Sequence, residues 1–165
     1  MSVADGQLIW ARSTEISARA LTVYRALGLS SARDINDVIN LVANFCGKQI
    51  RIEAVGNKKW EKVTGLVFHH DKYIRILVRS SDTRIFRCHC VLHELSHVLL
   101  EHPDCQCLNK VGVEQRNGSP VGRARFTDRD MSPEDRILEG EAEALAGFIA
   151  LDVLTPDFRS EEPFG

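Results

Sequence analysis

The sequence lacks a charge excess of either sign: 21 Lys and Arg against 23 Asp and Glu leave a formal net charge of −2. Nucleic-acid binders usually carry a clear basic surplus, so no direct nucleic-acid binding is expected. A local basic cluster such as Arg123, Arg125 and Arg129 is interleaved with Asp128 and Asp130 and reads as a solvated mixed-charge loop. Apolar runs long enough to span a bilayer are missing. No secretory leader is expected, since Met1 to Trp10 includes Asp5, Gly6 and Gln7 where a basic start and an apolar stretch would stand. These absences lead to the expectation of a soluble cytoplasmic protein with no membrane contact. There is no internal repeat and no low-complexity tract. Cysteines are few and odd in number: Cys46, Cys88, Cys90, Cys105 and Cys107. In a reducing compartment they are expected to be thiols or ligands rather than disulfides.

What is present is enough for one domain with a core: 165 residues, 44% of them apolar. A helix is predicted over 13–27, capped by Ser13 or Thr14, with Ile16, Ala20, Leu21, Tyr24 and Leu27 on one face. A second is predicted over 32–45, with Ser31 as cap, Gly47 as stop and Ile35, Val38, Ile39, Leu41, Val42 and Phe45 mostly inward. The short join could suggest a helix-turn-helix, but no basic recognition face is present, so ordinary packing helices are expected. Strands follow at 49–55, 64–69 and 73–79. The first sets Ile50, Ile52 and Ala54 to one side; the other two form a hairpin about His70, Asp71 and Lys72. Ser80, Ser81 and Asp82 end the strand and can cap a helix over 83–101. That helix is apolar nearly all round and should be buried. Residues 104–131 are too polar for a core element and read as a long loop. Ser132, Pro133, Glu134 and Asp135 then open a helix to 153. The expected core is 13–156 of a single domain, 1–165.

Inside the apolar helix stands His93-Glu94-Leu95-Ser96-His97, an HExxH motif. Helical residues four apart share a face, so His93 and His97 can aim ring nitrogens at one metal ion. Glu94 lies about 100° around the helix, within reach of a water beside that metal without binding it. This is the arrangement that zinc peptide hydrolysis needs: a Lewis acid at the scissile carbonyl, and a carboxylate that takes the water's proton and later delivers one to the leaving amine. A catalytic zinc usually takes a third protein ligand. The metzincin pattern HExxHxxGxxH does not supply it, because Leu100 and Pro103 occupy the needed positions and His102 falls one residue too early. A later glutamate does. Of Glu139, Glu141 and Glu143, the first and last share a face, while Glu141 points roughly the other way. Glu139 is the expected third ligand. Glu143 is expected to accept a hydrogen bond from the far nitrogen of a ligand histidine. Ala142 and Ala146 would let the two helices approach closely.

Residues 86–102, FRCHCVLHELSHVLLEH, and 139–156, EGEAEALAGFIALDVLTP, resemble the ImmA/IrrE family of metallopeptidase-like proteins. The resemblance implies a small α+β gluzincin-like domain, with a short three-stranded sheet and an HExxH helix packed on a C-terminal ligand helix. It implies zinc on His93, His97 and Glu139, with Glu94 as base. It also implies a protein partner, a helix-turn-helix repressor or antitoxin, as substrate. Ser96 replaces the family's usual glycine, and Glu143 stands where Asn or Asp is common. The flanking cysteine pairs lie outside the family pattern. If helical, Cys88 and Cys90 point about 200° apart and would not share a metal, so a four-cysteine zinc site is not expected. His89 reads as a rim histidine, and Tyr73, His69 and His70 are open candidates for an oxyanion stabiliser. The leading expectation is a zinc metallo-endopeptidase acting on a regulatory protein. The alternative is a non-catalytic, zinc-containing toxin–antitoxin or partner-binding protein. A transcription factor using the N-terminal helices is disfavoured by the charge balance.

Overall fold

The computed structural model describes residues 3–56, 65–103, 122–124 and 132–154. In chain order these form α1 (Val3–Ala26), a 3-10 turn (Leu29–Ser31), α2 (Ile35–Cys46), β1 (Gln49–Val55), β2 (Gly65–His69), β3 (Tyr73–Arg79), α3 (Arg84–Leu99), β4 (Gly122–Ala124) and α4 (Pro133–Val153). The class is α+β. Among the described residues no helix is long and apolar enough to cross a membrane.

The sheet has four strands in the order β1-β3-β2-β4, not three. β1 runs parallel to β3, and β2 is antiparallel to both β3 and β4. The unexpected fourth strand comes from the long polar segment. Its three residues pair with Leu66, Val67 and Phe68 of β2, and backbone pairing of this kind needs no apolar run. The rest of the 104–131 segment, including Cys105, Cys107, Arg125 and Arg129, lies outside the described residues. β1 departs from the expected alternation: Ile50 and Ile52 are partly covered, but Ala54 is exposed. β1 is an edge strand, and Arg75 of the neighbouring strand pairs with Glu53 at 2.6 and 2.9 Å on its open face.

Helix ends are set by local chemistry. α1 begins ten residues before the expected start, so Ser13 and Thr14 are interior rather than caps. α2 is capped by Asp34, whose side chain accepts from the Asp37 N–H, not by Ser31, which belongs to the 3-10 turn. Its last apolar residue, Phe45, is 44% exposed rather than inward. Thr83, not the preceding Ser80-Ser81-Asp82, caps α3; Asp82 instead pairs with Arg79 at 3.0 Å. Ser132 caps α4 as the sequence predicts.

The core forms where α3 packs on α2, α4 and the sheet, while α4 also packs on α1. From Cys90 to Leu100 every residue of the α3 segment is buried. Its first turn is not, since Ile85 and Phe86 are exposed. On α4 the buried stripe is Ala142, Leu145, Ala146 and Ile149. Burying each large aliphatic side chain contributes about 1.5–3 kcal/mol. The small Ala142 and Ala146, both fully buried, leave room for α4 against its neighbours. Tyr24 fastens α1 to the end of α4 through a hydrogen bond to Asp152 and a tilted ring contact with Phe148.

Candidate metal centre

α3 and α4 bring the sequence-selected residues together. His93 is 1%, Glu94 2% and His97 4% exposed. One turn of helix separates the two imidazoles, and their Nε2 atoms lie 3.1 Å apart. From α4, Glu139 reaches between them: Oε2 is 3.0 Å from His93 Nε2, and Oε1 is 3.4 Å from His97 Nε2. Donor atoms on a tetrahedral zinc with bonds of about 2.0–2.1 Å stand about 3.3–3.4 Å from one another. The three side chains are therefore close enough together to offer two nitrogens and an oxygen to one metal ion. Among the described residues they form the one cluster of His, Cys, Asp and Glu able to hold a metal.

Electrostatics point the same way. Two imidazole nitrogens and a carboxylate meet at hydrogen-bond distance. Lone pairs cannot converge so closely without a cation among them, either a proton on a ring or a metal ion. Burial pushes the Glu139 carboxyl up, but hydrogen bonds from His93 and His97 outweigh it and hold the group well below the ordinary carboxylate range.

Glu143 lies one turn beyond Glu139. Its Oε2 is 3.1 Å from His93 Nδ1, and its Oε1 is 3.0 Å from His89 Nε2. A ligand imidazole whose Nδ1–H donates to a carboxylate keeps its Nε2 lone pair for the metal. His89, about a quarter exposed, shares this carboxylate with His93.

Glu94 faces the start of β2. A Cβ placed on Gly65 would stand 3.0 Å from Glu94 Oε1, so the glycine makes room for the carboxylate. His70 and Tyr73, open candidates for a stabilising role, lie elsewhere. They stack on each other at the turn end of the β2–β3 hairpin, with Arg51 over the Tyr73 ring. That end is a strand's length, about 13 Å, from Gly65. They line an open groove of about 920 Å³ with Lys48, Arg51 and Lys72, which contains none of the metal-centre residues.

Three residues were missed or misplaced by the sequence reading. Glu141, expected to point away from the site, is 6% exposed. Its Oε2 is 2.9 Å from His102 Nε2 and 2.7 Å from an Arg19 nitrogen. His102, discarded as a ligand on spacing, has its Nδ1 2.8 Å from His97 Nδ1. Arg19 comes from α1 and also donates to the Leu100 carbonyl at 3.0 Å. The periodicity of α4 counted only the face toward α3. It could not show that α1 packs on another side and turns that side into interior. Cys88 and Cys90 are both on α3 and buried. Comparison with protein-family models, with characterised proteins and with solved structures finds no match for the chain.

Proposed function

We propose that this chain is a zinc-dependent metallo-endopeptidase of gluzincin-like architecture, with zinc on His93, His97 and Glu139. The observation that carries the reading is the convergence of those three donors at 3.0, 3.1 and 3.4 Å beside the buried Glu94. Zinc, when bound, would supply Lewis-acid polarisation of the scissile carbonyl and acidify the attacking water.

The chain's own residues would do the rest. Glu139 sets a negative charge against the cation, and Glu143 holds His93 in the tautomer that leaves Nε2 unprotonated. Glu94, adjacent to His93 but aimed at Gly65, takes the proton of the attacking water and returns one to the departing amine. Its burial excludes competing water and strengthens every charge–charge interaction around it. The substrate class, a regulatory protein such as a helix-turn-helix repressor or antitoxin, is proposed from the ImmA/IrrE-like motif residues.

Metal analysis of the purified protein should give one zinc per chain, lost in both His93→Ala and Glu139→Ala. Glu94→Gln should keep the zinc and lose about 10²–10⁴-fold in cleavage rate. Undiminished cleavage by Glu94→Gln would remove Glu94 from the chemistry. An unchanged biological effect without cleavage would favour the non-catalytic partner-binding alternative.

A further inference from the structure

His97 is held differently from His93. Where His93 meets a carboxylate directly, His97 Nδ1 meets a second imidazole, His102 Nδ1, at 2.8 Å. Behind that ring stand Glu141 and then Arg19. We propose that His102, Glu141 and Arg19 form a second positioning arm of the metal centre, locking His97 with its proton on Nδ1 and its Nε2 lone pair toward the metal. The inference rests on the reading of His93, His97 and Glu139 as the metal site.

The proton positions follow from chemistry. If His97 gives its Nε2 lone pair to a metal, the neutral ring carries its proton on Nδ1. That N–H must donate, so His102 Nδ1 accepts. A neutral His102 that accepts at Nδ1 carries its proton on Nε2, and that proton lies 2.9 Å from the Glu141 oxygen. Glu141 is then a buried carboxylate, which is stable only with compensation. Arg19 provides it at 2.7 Å. Every link has one donor and one acceptor, and the order cannot be reversed without placing a proton on the metal-facing nitrogen of His97. The His102 and Glu141 side chains are 1% and 8% exposed, so water does not replace these links.

The backbone at the end of α3 is shaped for this purpose. The helix closes with a Schellman motif: the Glu101 N–H donates to the Val98 carbonyl at 3.1 Å, and the His102 N–H donates to the His97 carbonyl at 3.0 Å. The motif needs a left-handed residue, normally glycine, but Glu101 occupies it at φ 52°. The turn folds His102 back beneath the helix, next to the residue whose carbonyl it binds. The one-residue offset that disqualifies His102 as a ligand is what sets it behind a ligand. Arg19 bonds both Glu141 and the Leu100 carbonyl. α1, which contributes nothing to the metal set itself, is thereby joined to it.

The test is zinc affinity of the full chain, prepared metal-free and titrated with zinc against a chromophoric chelator. Wild type and His93→Ala fix the scale. His102→Phe keeps the ring volume but removes the acceptor, and should weaken zinc binding about 10–100-fold. His102→Asn, whose amide oxygen can accept from His97 Nδ1–H, should recover part of that loss. Glu141→Gln should weaken binding less than His102→Phe, since an amide oxygen still accepts from His102. Independently of any substitution, long-range proton–nitrogen NMR on the zinc-loaded wild type should find His102 protonated on Nε2 and not on Nδ1. This readout decides the matter even if His102→Phe does not fold. Zinc affinity of folded His102→Phe within about twofold of wild type, well short of the positioning effect, would overturn the arm. So would a His102 proton on Nδ1. If wild type itself binds no zinc, or His93→Ala binds equally well, the metal reading fails and the arm with it.

Discussion

Replacing Gly65 by alanine probes how closely β2 sets Glu94, the proposed general base. The added Cβ would stand 3.0 Å from Glu94 Oε1, 3.5 Å from its Cγ and 3.6 Å from its Cδ. The last two are ordinary contacts; the first is tight, and Glu94 must give by a few tenths of an ångström. Glu94 is 2% exposed, so its carboxylate cannot swing freely into solvent and must move within packed surroundings. A functional group tolerates about 0.5 Å of displacement, and a 1 Å misplacement can cost 10²-fold. A shift of a few tenths of an ångström should therefore lower turnover by at most about tenfold, equivalent to about 1.4 kcal/mol in the barrier. Zinc affinity should stay the same, because Glu94 is not a ligand. Stability should change little, since alanine's lower chain entropy offsets the tight contact. The assay is cleavage of a denatured protein mixture by the zinc-loaded enzyme, with new N-termini counted by mass spectrometry, alongside zinc titration and urea unfolding. Full turnover in Gly65→Ala would refute the placement of the base against β2. Loss of zinc in parallel with turnover would show that the strand supports the ligands rather than Glu94.

Two further predictions concern the frame around the site. The hydrogen bond to Asp152, with burial and the carboxylate's charge behind it, raises the Tyr24 hydroxyl above its ordinary value of 10.0. Its contribution is therefore complete below pH 10 and lost as pH rises through the raised value. Tyr24→Phe should cost about 0.5–1.5 kcal/mol at neutral pH, and thermal melts of the two proteins should converge only above pH 10; a gap that persists there would exclude the hydrogen bond as its source. At the end of α3, Glu101→Gly removes a left-handed non-glycine residue worth about 1–2 kcal/mol, against about 0.5–1 kcal/mol of added chain entropy. Urea unfolding should show a gain of up to about 1 kcal/mol, whereas Glu101→Val should destabilise, and the opposite order would contradict the Schellman geometry.

Much of this molecule is legible in the chain because its signals are local. The capping serine, proline and acids at 132–135 define the start of α4, and a β-rich apolar run marks β3. HExxH selects its own helix face, because residues four apart must lie together. The same rule couples Glu139 to Glu143, and the structure sets both against the histidines. Illegible features depend on partners distant in sequence. β4 is three residues in a polar segment, and its strand character lies in β2's backbone rather than in its own pattern. Ala54 and Phe45 are apolar residues on faces that none of the described elements covers, and periodicity alone cannot tell a covered face from a bare one.

Glu141 and His102 show the division most clearly. The sequence by itself determined which side of both helices carries the candidate metal ligands, since the spacing of His93, His97, Glu139 and Glu143 follows from the helical repeat whatever else the chain does. It could not determine what stands behind His97. That required α1 to pack on α4, the chain to turn left-handed at Glu101, and Arg19, 122 residues before Glu141, to arrive at a buried carboxylate. Burial is a property of the assembled helices, and only the tertiary structure turns a glutamate on an outer face into an interior charge that needs partners.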